Sequence, residues 1–147
     1  MPKIYDMIPD NVSPVAPSTS LMEVARQMLE TGNAIIPVTN HGSYLGVVTQ
    51  KDIIVAITRA DYDIENMTAG STMSSLPVIL SSDDFWQAAN LMVETGYSTL
   101  VVLGQGKLYG LFTLEALARE QPPLAGMVYA SVNKTIHTHR GLSLAHN

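Results

Sequence analysis

Apolar positions recur along this chain with two alternating periods, and the alternation happens twice. Leu21, Val24, Ala25, Met28 and Leu29 lie at helical spacing, as do Phe85, Ala88, Ala89, Met92 and Val93. Ser20 with Glu23, and Asp84 with Gln87, stand at the spacing of a capping box just ahead of these runs. Gly32 and Gly96 follow where a helix ends on a left-handed residue. The period then changes. Residues 34–39 and 98–103 are short β-rich runs, and turns at Asn40-His41-Gly42 and Gly104-Gln105-Gly106 lead to second strands at 44–48 and 108–112. Thr49 and Thr113 each open another helix, carrying Ile53, Ile54 and Ile57 in one case and Leu114 and Leu117 in the other. A short apolar segment precedes each set, Val12–Ala16 and Leu76–Leu80, and both are expected to be strands.

The two sets are copies. MLETG at Met28–Gly32 returns as MVETG at Met92–Gly96, an offset of 92 − 28 = 64. Held without a gap, that offset aligns Val12–Asp52 with Leu76–Ala116 and gives ten identities in 41 positions, including Gly32/Gly96, Gly42/Gly106 and Gly46/Gly110. The fold class is therefore α/β (α+β), with a β-α-β-β-α unit repeated. Neither copy can bury its helices and strands alone, so the two are expected to pack around a pseudo-two-fold axis. The domain reading is repeat one at 1–60, a linker at 61–70, repeat two at 71–121 and a tail at 122–147.

Composition narrows the function. The 147 residues carry 13 acidic and 8 basic side chains, net −5, against the basic face that a nucleic-acid binder needs. Cysteine is absent, which removes disulfides, zinc–thiolate sites and thiol nucleophiles. No apolar run has a membrane span's length, and no secretory h-region opens the chain, so a cytoplasmic location is expected. Only 14% of residues are charged, about half the usual share, whereas 46% are hydrophobic. Apolar surface buried against a second subunit answers that imbalance, and so does a surface built from Ser, Thr, Asn and Gln.

No catalytic constellation stands out: no nucleophile elbow and no paired acid and base, so the chain is not expected to be an enzyme. Asp61, Asp63 and Glu65 alternate in the linker but lack the central glycine and distal glutamate of a calcium loop. In the tail, His137 and His139 share one face of an extended segment, without a third metal ligand near in sequence. The apolar stretch Met127–Val132 reads as a tail strand or a partner-binding segment, and Pro122-Pro123 stops the last helix.

The chemistry-bearing stretch is Gly46–Asp52. A helix N-terminus offers free N–H groups to a phosphate, and the Thr49 hydroxyl and Lys51 add a hydrogen bond and a charge. Asp52 accepts hydrogen bonds only, which suits the paired hydroxyls of a ribose, and Val47 and Val48 form an apolar wall. Thr49-x-x-Asp52 is equally a capping arrangement, and spacing alone leaves both readings open.

Gly32–Val38, with its glycine followed by Ile-Ile-Pro-Val, and the G-h-h-T-x-x-D stretch Gly46–Asp52 resemble the cystathionine-β-synthase (CBS) domain family. In order and duplication they resemble its tandem pair, the Bateman module, from about Met7 to Glu120. The resemblance implies a regulatory pair that senses an adenosyl ligand (AMP, ADP, ATP, S-adenosylmethionine or NAD) in a cleft between the repeats, requires no cofactor, dimerises through its helices and signals to an unidentified partner protein. It implies that Thr49 and Asp52 are faced by Thr72, Pro77, Ser98 and Thr99. In the mirror cleft Thr113 is faced by Ser13, Ala34 and Ile35, but Ala116 replaces the aspartate, so ligand there should be weaker or absent. The rival readings are an adaptor with degenerate clefts and, more remotely, a metal-binding protein using the tail histidines.

Overall fold

The computed structural model of the chain describes residues 1–7, 13–59 and 64–131. Its described elements are mixed α and β, five strands, six α-helices and a short 3-10 helix at Ile4–Asp6, in the order that a doubled unit requires. They are α1 (Leu21–Thr31), β1 (Ile35–Asn40), β2 (Ser43–Thr49), α2 (Gln50–Arg59), α3 (Ala69–Thr72), β3 (Val78–Leu80), α4 (Phe85–Thr95), β4 (Thr99–Gly104), β5 (Lys107–Thr113), α5 (Leu114–Glu120) and α6, residues 122–131. No helix among the described residues is long and apolar enough to cross a membrane.

Local chemistry sets the punctuation. Both hairpin turns hold two left-handed residues, His41 (φ 52°) with Gly42 (84°) and Gln105 (53°) with Gly106 (76°). That is the two-residue turn whose twist matches the flanking strands. Gly32 and Gly96, both at φ 74°, end α1 and α4 in the left-handed cap that the sequence predicts. Asp84 and Gln87 close a full capping box at 2.8 and 2.9 Å. At α1 only half of the expected box forms. The Ser20 hydroxyl accepts the Glu23 N–H at 3.2 Å, but the Glu23 carboxylate turns to Arg26 one turn along.

The chain divides into two compact units. The first unit holds residues 13–59, 64–76 and 103–110. Here β1 and β2 pair antiparallel, with Ile36 opposite Val48 and Val38 opposite Gly46, and Ser43 pairs with Lys107. Leu21, Val24, Met28, Ile36, Val38, Val48 and Ile53 form its core. The second unit holds residues 1–7, 77–102 and 111–131. Its core is Ile79, Phe85, Met92, Leu100, Phe112 and Leu117, with the Phe85 and Phe112 rings stacked at 5.7 Å.

Four sequence expectations change. The strands ahead of each helix shrink: Val15 makes a single bridge to Val38, and the second strand shortens to β3, which pairs beside β4. Pro14 and Pro77 lie in these segments and have no N–H for a ladder. Residues 127–131 are helical rather than extended. Pro122 and Pro123 end α5 but sit at the start of α6, where a missing N–H costs nothing, and α6 sets Ala125 and Val128 into the second unit's core. Residues 1–7, first in sequence, pack with the second repeat: the Ile4 N–H bonds to the Asp83 carbonyl at 2.8 Å, and the Ile4 side chain is wholly buried. Leu29, expected on the apolar face of α1, is 86% exposed. The histidine pair of the tail, Val132, Asp61 and Asp63 lie outside the described residues.

Candidate functional site

The junction of β2 and α2 is built by reciprocal hydrogen bonds. The Thr49 N–H donates to Asp52 Oδ2 at 2.9 Å, and the Asp52 N–H donates to Thr49 Oγ1 at 3.1 Å. The capping reading is thus realised. The Gln50 N–H bonds to the Ala34 carbonyl at 3.2 Å. With both the Gln50 and Asp52 N–H groups engaged, little of the helix start is left to hold a phosphate.

A second segment comes in beside it. Val47 and Ser74 exchange backbone hydrogen bonds at 2.9 and 2.8 Å. Gly46 makes that approach possible: a Cβ there would lie 2.8 Å from the Ser74 carbonyl oxygen and 3.1 Å from Met73 Sδ. Thus anchored, the Ser74 hydroxyl donates to Asp52 Oδ2 at 2.8 Å. Asp52 Oδ2 holds two protein hydrogen bonds, while Oδ1 has no partner among the described residues.

Asp52 borders a cavity of about 270 Å³ within the first unit. One wall is α2, with Lys51, Asp52, Val55, Ala56 and Arg59. The other is Met67, Ser71, Thr72, Met73 and Ser74. Of the residues that the sequence singles out, Lys51, Asp52 and Thr72 meet here. Thr49 supports Asp52 from behind. Val47 and Val48 are fully buried and do not line this cavity, whose apolar lining is Val55, Ala56, Met67 and Met73. Pro77, Ser98, Thr99 and Thr113 belong to the second unit, whereas Ser13, Ala34 and Ile35 belong to the first. Thr113 Oγ1 accepts the Ala116 N–H at 3.1 Å, a one-way cap, and Ala116 is 1% exposed. Sequence reasoning missed Ser74, Val55 and Arg59. The spacing Lys51, Val55, Arg59 was visible as one helix stripe; nothing local pointed to Ser74.

Two further features bear on the electrostatics of this unit. Neither Lys51 nor Arg59 forms an ion pair among the described residues, where Arg26–Glu23 is the one salt bridge. The Tyr44 hydroxyl is buried with no hydrogen-bond partner, and burial raises its pKa above the ordinary 10.0. The backbone of Leu76 offsets part of that rise without closing a well-formed hydrogen bond. Among the described residues no cluster of three His, Cys, Asp or Glu side chains could hold a metal.

Residues 4–59 and 67–122 each match the CBS domain, and the chain belongs to that family as a tandem pair. An uncharacterized protein of Methanopyrus kandleri is 26% identical over 123 residues, 81% of this chain; the chain spans 62% of that relative's length. Hypoxic Response Protein I, solved with two coordinated zinc ions, superposes with a TM-score of 0.72 at 24% identity, over 82% of this chain and 99% of that one. CBSX2, solved in complex with AMP, superposes with a TM-score of 0.69 at 25% identity, over 83% of this chain and 97% of that one.

Proposed function

We propose that the cavity beside Asp52 binds an adenosyl ligand and that this CBS pair is a regulatory module, without catalysis of its own, whose bound state is read by a partner protein. The observation that carries this reading is the free Oδ1 of an otherwise anchored carboxylate. Asp52 lines a cavity whose facing wall carries Ser71, Thr72 and Ser74, and whose lining includes the apolar side chains Val55, Ala56, Met67 and Met73. Such a carboxylate accepts from the vicinal hydroxyls of a ribose, and the apolar wall suits a base. At about 270 Å³ the cavity is at the small end for ligand sites, which favours a mononucleotide over a dinucleotide such as NAD. The AMP-bound CBSX2 structure supports the ligand class.

Calorimetry with AMP tests it. Asp52→Ala should weaken binding by about tenfold or more, the loss of a charge-assisted hydrogen bond. Thr49→Ala, which keeps Oδ1, should weaken it by no more than about threefold, because its bond to Asp52 only supports the cap. Undiminished affinity in Asp52→Ala would leave Asp52 as a helix cap alone. No heat from AMP, ADP, ATP, S-adenosylmethionine or NAD would return the chain to the adaptor reading. Self-association through helix faces is part of the proposal, supported by Leu29 at 86%, Ile54 at 63% and Trp86 at 49% exposure. Light scattering at tens of micromolar should give a dimer, and a monomer would remove it.

A further inference from the structure

The proposed ligand reading leaves Arg59 without a role, and the cavity supplies one. Lys51, Val55 and Arg59 stand at i, i+4 and i+8 on α2 and all line the cavity. Arg59 is in the last turn of the helix, about 10 Å along the axis from Asp52 at 1.5 Å per residue. Helix side chains lean toward the N-terminus, so an arginine at 59 reaches back over Val55 toward Asp52, while Lys51 leans away from the cavity's middle. No carboxylate among the described residues pairs with Arg59, and the sole acid lining the cavity, Asp52, has Oδ2 already taken by Thr49 and Ser74. Among the described residues, the cavity's lining therefore carries two cations against one acid. Its chemistry calls for a ligand with hydroxyls at one point and an anionic group a few ångströms further along α2.

We propose that Arg59 is the charge-reading residue of this site: its planar fork clamps the phosphate of a ligand whose ribose hydroxyls rest on Asp52 Oδ1. This rests on the adenosyl reading above and deepens it. It moves the anionic group from the helix N-terminus, where the Gln50 and Asp52 N–H groups are already engaged, to the middle of α2. It also sets the preference among adenosyl ligands. A mononucleotide is favoured over uncharged adenosine, and S-adenosylmethionine, which brings cationic sulfonium and ammonium groups, is disfavoured by the cavity's own excess of positive charge.

The experiment is calorimetry of the full chain with AMP and with adenosine, on wild type, Arg59→Gln, Arg59→Lys and Lys51→Gln, with thermal unfolding to confirm that each variant is folded. In Arg59→Gln, AMP affinity should fall about tenfold or more while adenosine affinity stays within about twofold. Arg59→Lys should recover part of the AMP loss, since it restores the charge without the fork. Lys51→Gln should change AMP binding by less than Arg59→Gln. Equal losses for AMP and adenosine in Arg59→Gln, or a larger AMP loss in Lys51→Gln, would overturn the role of Arg59 while leaving the site intact. A wild-type chain that binds neither compound would overturn the site itself, and this inference with it.

Discussion

Aligned at their offset of 64, the two repeats differ most at two places, the core and the start of the second helix. Where the first repeat has Leu21 and Val48, the second has Phe85 and Phe112, and their stacked rings fill its core. The second unit also recruits Ile4 from the chain's start and Val128 from α6, whereas the first closes with Val15 and Ala69 from its own flanks. At the helix start, Asp52 is half-buried, anchored on one oxygen and open on the other, and its counterpart Ala116 is buried. Duplication thus keeps the helices and hairpins of the unit while the core packing and the start of the second helix separate the copies. The carboxylate at the half-open helix start borders a cavity. A methyl group sealed in the same place makes only core.

The largest test of that contrast is in the cores. Phe112→Ala should cost about 3–5 kcal/mol, from a lost ring and the cavity it leaves. Val48→Ala, at the equivalent position, should cost about 2 kcal/mol, since fewer buried methyl groups are removed. Denaturant unfolding reads both, and equal losses would show that the two cores are closed by other means.

A middle-sized effect comes from Gly46. In Gly46→Ala the new methyl group would meet the Ser74 carbonyl at 2.8 Å, and backbone has to move to admit it. A loss of about 1–3 kcal/mol is expected. AMP affinity should fall as well, because Ser74 is then displaced from Asp52. A stability loss with AMP affinity intact would separate Ser74 from the site.

The smallest effect is alkaline. Tyr44, whose counterpart is Leu108, has a folded-state pKa raised above 10.0 by burial. The stability tied to its neutral form is fully present below pH about 10 and is lost as the pH rises through the folded-state value. Tyr44→Phe should remove that alkaline loss. At neutral pH it should be neutral or stabilising by up to about 1 kcal/mol, because a buried unpartnered hydroxyl is removed. A loss above about 1 kcal/mol at neutral pH would mean that the hydroxyl has a partner after all.

Much of this molecule was legible before its structure, where the cause is local. The left-handed glycines after α1 and α4, the two-residue turns at His41-Gly42 and Gln105-Gly106, and the Asp84–Gln87 cap each depend on residues within four positions of one another. The reciprocal Thr49–Asp52 cap is of the same kind. Where expectation failed locally, a competitor was close by: Arg26 took Glu23 from its cap, and prolines 14 and 77 stand in the strand that shrank to a single bridge and in the one that shortened.

What the sequence determined by itself was the duplication, the order of helices and hairpins within each copy and the placing of an acid at the start of α2, because period, capping and turn chemistry are properties of short stretches of chain. Only the tertiary structure decided which segments closed each core and what stood around Asp52. Ser74 reaches it across 22 residues of sequence, and Ile4 enters a core built from residues beyond 78. Met73 and Ser74 line the cavity with Val55 where Gly46 admits the backbone at Ser74 against β2. Contacts of that range depend on how apolar surfaces are buried together, and no local rule specifies which distant segment fills the space.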